Sequence, residues 1–341
     1  MATGYAQAAF ESVAGNETNT PTLSTKKIYF PAMSVKPSQN PEHMSRDDEI
    51  RNADEPLSVL TEAYDPAWEF ESRMYPDSLG WYLKLLLGAP VTTAGDGIIT
   101  DPDAGAIPAT AYRHVWTAPF GPSGASPLTQ QMQVSYKDQN VFYKMKGCAA
   151  EKLSIESPDK GGCMIKANGQ GLYMNRQADP SLTPSYESLA VRPFTRSGLT
   201  LPTWLSGSGT HENVTLEISN PIETVRSMGI ESKSPDVMEK GEDLITVTGT
   251  LAQRQLDADD WDALVNATGF AAKAKWNSET VIASGYTYKL FVEFSNAQYV
   301  GGDPDALTNK RRHGAEFQFK STYAGAASTT ITLVNATASY A

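Results

Sequence analysis

The chain has 341 residues, of which 40% are hydrophobic, enough for one large or two ordinary domains with a real core. Its formal net charge of -11 argues against a protein that grips nucleic acid, because phosphate contacts need Lys and Arg. No apolar run approaches the ~20 residues of a membrane span, and MATGYAQAAFES does not resemble a signal peptide. With only two cysteines, we expect Cys148 and Cys163 to be buried free thiols, their pairing being the alternative.

Residues 1–55 are polar and Pro-rich, with one strand candidate at Lys27 to Val35. Two interpretations have equal weight: a disordered tail, or an arm that orders against a neighbouring copy. We therefore divide the chain into an N-terminal arm with one strand, 1–55, and a main domain, 56–341.

The main domain opens with a strand and a short helix. Trp68 and Phe70 alternate with acidic residues between Asp65 and Met74, which predicts the strand. Leu spacing after Pro76 predicts the helix, with Asp77 as its cap and Gly88 as its stop.

A long connection at 92–109 follows, and connections of this length are functional or disordered. Asp101 to Gly105 superficially resembles a calcium loop but lacks the spaced carboxylates and the final Glu. Strands are predicted next at Thr110 to Ala118 and Gln131 to Tyr136.

The stretch from Val141 to Gly171 predicts a strand ending near Gly147, a second strand through Leu153 and Ile155, a turn, and a third strand. The second half also contains segments of alternating polar and apolar residues, which predict strands at 213–220, 243–252, 286–294, 314–320 and 329–334. A helix is predicted from Asp257 to Gly269, with an apolar face of Trp261, Leu264 and Val265.

The elements together predict a mainly β fold, an antiparallel β-sandwich or partial barrel with one or two short flanking helices. The segments LSIES and LEISN, each preceded by Gly and followed by a strand containing a Gly, form a weak internal echo. It divides the main domain into two β-units, about 56–200 and 201–341. Duplication and the shared demands of one sandwich both explain such an echo.

Motifs for catalysis, metal binding and cofactor binding are missing from the sequence. The four histidines are far apart, and there is no nucleophile elbow, Walker A sequence or dinucleotide fingerprint. We therefore predict no enzyme activity, no catalytic residues, no metal and no cofactor.

Several stretches together resemble the tail tube proteins of long-tailed, siphovirus-like bacteriophages. YKMKGCAAEKLSIESPDKGG is similar to the family's central strand pair, and YPDSLGWYLKLLLGAP resembles its short helix. AYRHVWTA resembles the strand after the family's loop, and NVTLEISNPIE with DLITVTGTL resembles its second unit. The resemblance covers roughly residues 25–341.

This resemblance implies a structural virion protein that forms hexameric rings, which stack into the tail tube. Subunits would close a ring-shaped β-barrel on oligomerisation, around an acidic channel through which double-stranded DNA passes without specific binding. The implied partners are other copies of the chain, the tape-measure protein, the tail terminator and the tail-tip proteins. The implied location is the virion tail, after assembly in the host cytoplasm.

Two hypotheses assign surfaces within such a tube. The polar sides of the two echoing strands should line the channel, namely Ser154, Glu156, Thr215, Glu217 and Ser219. The arm and the 92–109 loop should contact the next ring, through Tyr5, Phe10, Arg46, Asp47, Asp101 and Asp103. Deleting residues 2–20 should then impair stacking and leave the monomer folded.

Two other functions compete with this interpretation. Six tryptophans and fifteen tyrosines could serve a β-sandwich carbohydrate-binding module. A β-rich glycoside hydrolase is the third candidate, and it would need paired carboxylates of unequal pKa in a pocket.

Overall fold

The computed structural model describes residues 4–11, 28–44, 60–120, 127–158, 161–178, 191–204, 211–226, 233–242, 244–253, 257–304, 315–322 and 327–340. These residues are mainly β with two short α-helices, as the sequence predicts. Neither described helix is long and apolar enough to cross a membrane.

The described strands of the first half are β1 (Gly4–Phe10), β2 (Ile28–Phe30), β3 (Ala32–Ser38), β4 (Pro41–Met44), β5 (Leu60–Tyr64), β6 (Ala67–Arg73), β7 (Val91–Ala94), β8 (Tyr112–Thr117), β9 (Gln130–Tyr136), β10 (Val141–Ser157), β11 (Met164–Gln170) and β12 (Tyr173–Gln177). Those of the second half are β13 (Leu199–Thr203), β14 (His211–Ser219), β15 (Ile222–Val225), β16 (Val237–Lys240), β17 (Thr246–Gln253), β18 (Phe270–Ala283), β19 (Tyr286–Pro304), β20 (Ala315–Ser321) and β21 (Thr329–Asn335). The helices are α1 (Pro76–Leu87) and α2 (Ala258–Val265).

One antiparallel sheet dominates the architecture, and we call it the front sheet. Its order is β3–β6–β11–β10–β14–β17–β20–β19, to which β10 and β19 contribute their C-terminal halves. Two smaller back sheets, β12–β10–β9–β1–β2 and β13–β18–β19–β21–β8–β7, use the N-terminal halves of the same two strands. The long strands β10 and β19 therefore join the front sheet to the back sheets. The described strands form no closed barrel within one chain.

The apolar sides of all three sheets and helix α1 form one large buried cluster. It includes Leu153 and Leu216 of the front sheet, Trp276 and Ile331 of the back, and Tyr82 of α1. Burial of side chains of this size stabilises a fold by roughly 1.5–3 kcal/mol each.

Helix α1 begins and ends where the sequence predicts, but its cap differs. Pro occupies the first helical position and Gly88 ends the helix with φ 91, the positive region that favours glycine. Asp77 does not cap the helix; its carboxylate accepts hydrogen bonds from Thr337 and Asn335 near the C-terminus. The side chain therefore fixes the last strand against the helix.

Helix α2 is shorter than predicted, and its predicted apolar face is confirmed in part, because Trp261 and Leu264 pack against the core. Asp257 caps it through the Asp259 N–H, but Val265, predicted to be apolar contact surface, is 65% exposed. Asp260 is fully buried instead and accepts a hydrogen bond of 2.6 Å from the Tyr299 hydroxyl. A buried carboxylate requires such partners, so the acidic side chains of this helix do more than favour its N-terminal turn.

The predicted break near Gly147 is wrong, because β10 runs as one 17-residue strand through that glycine. Gly147 has φ 62, and its N–H donates to the Glu11 carboxylate at 2.9 Å. The backbone turns from the back sheet into the front sheet here without ending the strand. Gly147 therefore marks a bend within one strand and not the end of a strand.

The N-terminal segment contains four described strands instead of the one predicted. Strand β1 pairs with β9 over seven residues, and its Tyr5 and Ala8 are buried. Strand β3 forms one end of the front sheet. These parts of the predicted arm are thus built into the sheets of their own chain.

Candidate assembly surfaces

The outward side of the front sheet is polar along its central strands. In β10, Leu153 and Ile155 are buried while Ser154 and Glu156 alternate with them on the other side. In β14, Val214, Leu216 and Ile218 are buried in the same way. We call this side the polar face, and it consists of the outward positions of the eight front strands.

The structure brings together all five residues predicted to line a channel. Because β10 pairs with β14, Ser154 lies opposite Glu217 and Glu156 lies opposite Thr215, with Ser219 opposite Lys152. They occupy the middle of the polar face. Their position around a channel stays a prediction.

Lysines accompany both predicted channel glutamates. The Lys152 ammonium lies 2.6 Å from Glu217, and the Lys166 ammonium lies 2.8 Å from Glu156. The hydrogen bond to Glu156 raises the pKa of Lys166. Both carboxylates are thus neutralised by a lysine on the surface. A negatively charged channel would therefore need other acidic residues of the chain.

Rows of polar side chains continue across the sheet on either side of these pairs. One row follows the register through six neighbouring strands: Glu71, Lys166, Ser154, Glu217, Thr248 and Lys320. A shallow depression of about 470 Å³ lies between Glu69, Lys152 and Asn168. Both signs of charge alternate along the face, and opposite charges on adjacent strands attract.

The front sheet has an edge at each end. Strand β3 pairs with β6 and the C-terminal half of β19 pairs with β20, and no described strand covers the other side of either. Each edge strand contains a bulged residue with an exposed apolar side chain, Met33 at 57% and Val300 at 52%. Unpaired backbone groups on such edges are sites for pairing with another chain.

Of the residues predicted to contact a neighbouring ring, the aromatic pair packs within its own chain. Tyr5 is 4% exposed and packs against Phe142, while Phe10 stacks on Trp81 with ring centroids 4.1 Å apart. Tyr5 is therefore a core residue in the monomer. Arg46 and Asp47 lie outside the described residues.

The two loop aspartates hold the 92–109 loop against the second back sheet. Asp101 accepts hydrogen bonds of 2.6 Å from Tyr286 and Lys289, and Asp103 accepts from Lys273 at 2.7 Å. Burial opposes ionisation of Asp101, yet these donors hold its pKa below the ordinary value. The loop is an ordered part of the chain, and its role between rings stays a prediction.

Neither cysteine is poised for reaction. Cys148 and Cys163 are buried free thiols, as predicted, and burial raises the pKa of both. Within the described part of the chain, no group of three or more His, Cys, Asp or Glu side chains could hold a metal ion.

Sequence reasoning missed the lysine partners and the two free edges. The lysines carried a signal, since Lys152 and Lys166 share the period-two pattern that identified the glutamates. The edges carried none, because strand order depends on contacts between distant segments.

Comparison with known proteins agrees with this architecture. The profile of a family described as phage tail tube protein matches residues 2–321. A search of the curated proteins returns no match. The family match spans nearly the whole chain, including the arm, the polar face and both free edges, and the chain therefore belongs to the phage tail tube protein family.

Proposed function

We propose that copies of this chain polymerise as stacked hexameric rings into the tail tube, with the polar face lining the channel. The observation that carries this proposal is the front sheet, an eight-stranded sheet with one polar side and, among the described strands, an open edge at each end. An open edge invites uncontrolled pairing. A ring removes both edges by pairing the end of one copy with the start of the next.

The proposed channel is acidic and lets double-stranded DNA pass without specific binding. The chain's net charge of -11 supports this, because it is multiplied around a ring. The ion pairs on the polar face temper the effect locally, since Glu156 and Glu217 each have a lysine partner. A surface that carries both positive and negative side chains would bind DNA only weakly, which suits a channel through which DNA moves.

Membership of the family supports the remaining roles that we propose. The chain acts as a structural component without catalytic activity, assembled in the host cytoplasm and located in the virion tail. A tape-measure protein inside the tube, a tail terminator and tail-tip proteins are its proposed partners.

Electron microscopy of the purified chain, concentrated and aged, tests this function. We expect hollow tubes or six-fold rings in negative stain. A chain that stays monomeric at every concentration and binds glycans saturably would instead be a carbohydrate-binding module. Burial of five of the six tryptophans argues against that outcome, because buried rings cannot stack on a sugar.

Thiol labelling then tests which side of the sheet faces the channel. Thr215→Cys should react with a bulky maleimide in the monomer and be protected in tubes. Ser284→Cys, in the exposed turn between β18 and β19, is the matched control and should react in both. Equal labelling of Thr215→Cys in monomers and tubes would place the polar face on the outer wall.

A further inference from the structure

Six strand pairings of the first half have counterparts in the second half. In the first half, the front strands run β3–β6–β11–β10, and β10 continues into a back sheet between β12 and β9, with β1 next to β9. In the second half, they run β14–β17–β20–β19, and β19 continues between β21 and β18, with β13 next to β18. All of these pairs are antiparallel. Each half also places its helix directly after the second of these front strands, α1 after β6 and α2 after β17.

The irregularities of the two halves coincide as well. The ladder between β10 and β11 skips Glu151, and the ladder between β19 and β20 skips Val300 at the corresponding position. Likewise, β3 skips Met33 against β6, and β14 skips Glu212 against β17. Bulges re-aim a strand at one defined point, so matching bulges indicate the same backbone path.

In each half, a glycine lies opposite an aromatic residue on the neighbouring strand, but the strand that contains the glycine differs between the halves. Gly169 lies opposite Trp68 in the first half, and Phe319 lies opposite Gly249 at the corresponding pair in the second. A Cβ on Gly169 would lie 2.9 Å from the Trp68 ring, and one on Gly249 would lie 2.4 Å from the Phe319 ring. Each pair therefore holds one large ring and one residue without a side chain.

This correspondence differs from the echo seen in the sequence. The similar segments LSIES and LEISN belong to β10 and β14, which are hydrogen-bonded neighbours. Their structural counterparts are β19 and β3 respectively. The β10–β14 pairing thus joins the last front strand of one unit to the first front strand of the next.

We propose that this internal junction is the template for the contact between subunits. The free edge of β19 in one copy pairs antiparallel with β3 of the next copy, as β10 pairs with β14 within the chain. The inference rests on the proposed ring function and specifies its interface. The partner is a second copy of this chain, and the contact is head-to-tail, which allows a ring to close.

The matched bulges fix the register of the new contact. Lys152 corresponds to Gly301 and Ser219 corresponds to Asn40, so the pair Lys152–Ser219 predicts Gly301 opposite Asn40 of the next copy. The same register sets Asp303 opposite Ser38 of that copy. It also aligns the two edge prolines, Pro304 and Pro37, so that a single rung lacks both N–H donors; any other register spreads this loss over two rungs.

Charge favours the same register. Inside the chain, Lys152 and Glu217 form their ion pair across one diagonal of the junction. The next diagonal in the same direction, which corresponds to Ser154 and Thr215 inside the chain, joins Asp303 to Lys36 of the next copy. Lys36 is exposed and its intrachain partner Glu69 is 3.7 Å away, a pair that is worth little on a surface.

Engineered cysteines test the junction in assembled tubes. Asp303→Cys combined with Ser38→Cys places thiols on directly opposed residues, within the Cα separation of roughly 4.4–6.8 Å that a disulfide needs. After oxidation of tubes, we expect a ladder of linked chains on a non-reducing gel. Mixing Asp303→Cys chains with Ser38→Cys chains should give dimers and nothing larger, which proves that the bond joins different copies.

Two matched pairs serve as controls. Ser154→Cys with Glu217→Cys, the corresponding pair inside the chain, should close within one chain and leave the gel mobility near that of a monomer. Asp303→Cys with Gln39→Cys puts the thiols on opposite sides of the sheet and should not link, because neighbouring residues on a strand point to opposite faces.

The outcomes separate this inference from the proposed function. Tubes that form with no ladder, while the internal control closes, would overturn the junction and leave the tube function standing. A ladder with the Gln39→Cys pair would overturn the register. If the unmodified chain forms neither tubes nor rings, the proposed function itself fails.

Discussion

Gly169 lies where two neighbouring backbones and an indole ring approach one another. A Cβ at this position would lie 1.9 Å from the Ala149 carbonyl oxygen, which cannot move without disturbing the ladder. We expect Gly169→Ala to lower the free energy of unfolding by about 1–3 kcal/mol, the usual cost of overpacking. Urea denaturation of the monomer measures this.

Gly171 provides the comparison two residues further on. A Cβ at Gly171 would lie 3.4–3.5 Å from its nearest neighbours, which is an ordinary contact distance. Gly171→Ala should therefore cost much less than Gly169→Ala. Equal losses would mean that the close approach at Gly169 does not limit the fold.

Asp101 anchors its loop through charge, which predicts a pH dependence. The folded state holds its pKa below the ordinary value, against the effect of burial, through Lys289 and Tyr286. Its contribution to stability is therefore complete above the unfolded pKa near 3.9 and is lost as the pH falls through the folded pKa. Asp101→Asn should cost about 1.5–3 kcal/mol at neutral pH, as expected for hydrogen bonds to a charged group.

Denaturation curves between about pH 3 and pH 6 measure the effect of Asp101→Asn, which should flatten the loss of stability below about pH 4. Tyr286→Phe removes one donor and keeps the carboxylate, so it should reduce that slope only in part. An unchanged slope in Asp101→Asn would assign the acid sensitivity to other carboxylates.

Strand β1 shows at the element scale how the structure changes an expectation from sequence. It pairs with β9 along its whole length, and Tyr5 and Phe10 pack on aromatic rings. Removing residues 4–10 should cost roughly 3–6 kcal/mol, the burial of two aromatic side chains. The monomer itself should lose stability, contrary to the expectation that such a deletion affects only stacking.

Thermal unfolding of the deleted chain as a monomer checks this directly. Lys36→Gln, an exposed change on β3, is a suitable control and should leave the melting temperature nearly unchanged. A deleted chain that melts with the full-length protein and fails only to form tubes would restore the role of an external arm.

Local elements were predictable where local chemistry determines them. Helix α1 follows from Pro76, the leucine spacing and Gly88, all within 13 residues. The continuity of β10 was not predictable, because Gly147 gives the same signal for a bend as for a break. The neighbours of Asp260 were also out of reach, since Tyr299 is 39 residues away in sequence.

The candidate channel surface was half predictable for the same reason. Alternation identified which sides of β10 and β14 are polar, because it needs only the period of a strand. The adjacency of the two strands, the row of polar side chains across six strands and the free edges depend on pairing between distant segments. These contacts required the folded chain.

At the scale of the whole molecule, the negative charge of the proposed channel predicts whether assembled tubes bind DNA. Tubes of the natural chain should not retain double-stranded DNA, given the charge of -11 per copy. Thr215→Lys with Ser219→Lys adds a basic row to the polar face and should make tubes bind DNA in a salt-dependent way. Cosedimentation at about 50 and 200 mM salt measures this.

The same two substitutions can also contradict the proposed position of the polar face. If tubes with both lysines bind no DNA at the lower salt concentration, the polar face is not exposed to the channel. Lysines placed instead at Thr280 in β18 and Ser284 in the β18–β19 turn, both outside the front sheet, control for a general gain of charge.

If the chain contains two β-units, as we propose, the number of chains per ring becomes a quantity worth measuring. Six chains would place twelve units around the channel, and three chains would place six. Ring mass differs twofold between these cases, so mass photometry of released rings distinguishes them. The proposed hexameric ring predicts the larger mass.

The two long strands have a mechanical consequence. Strands β10 and β19 each pass from the front sheet into a back sheet without interruption. In the proposed tube, with the polar face toward the channel, each strand would link the inner and outer layers of the wall covalently. Shear between the layers would then load the continuous backbone of these strands. The two sheets could not simply slide past one another. A wall braced in this way resists flattening, so bending along the tail would concentrate between rings and leave the bore round.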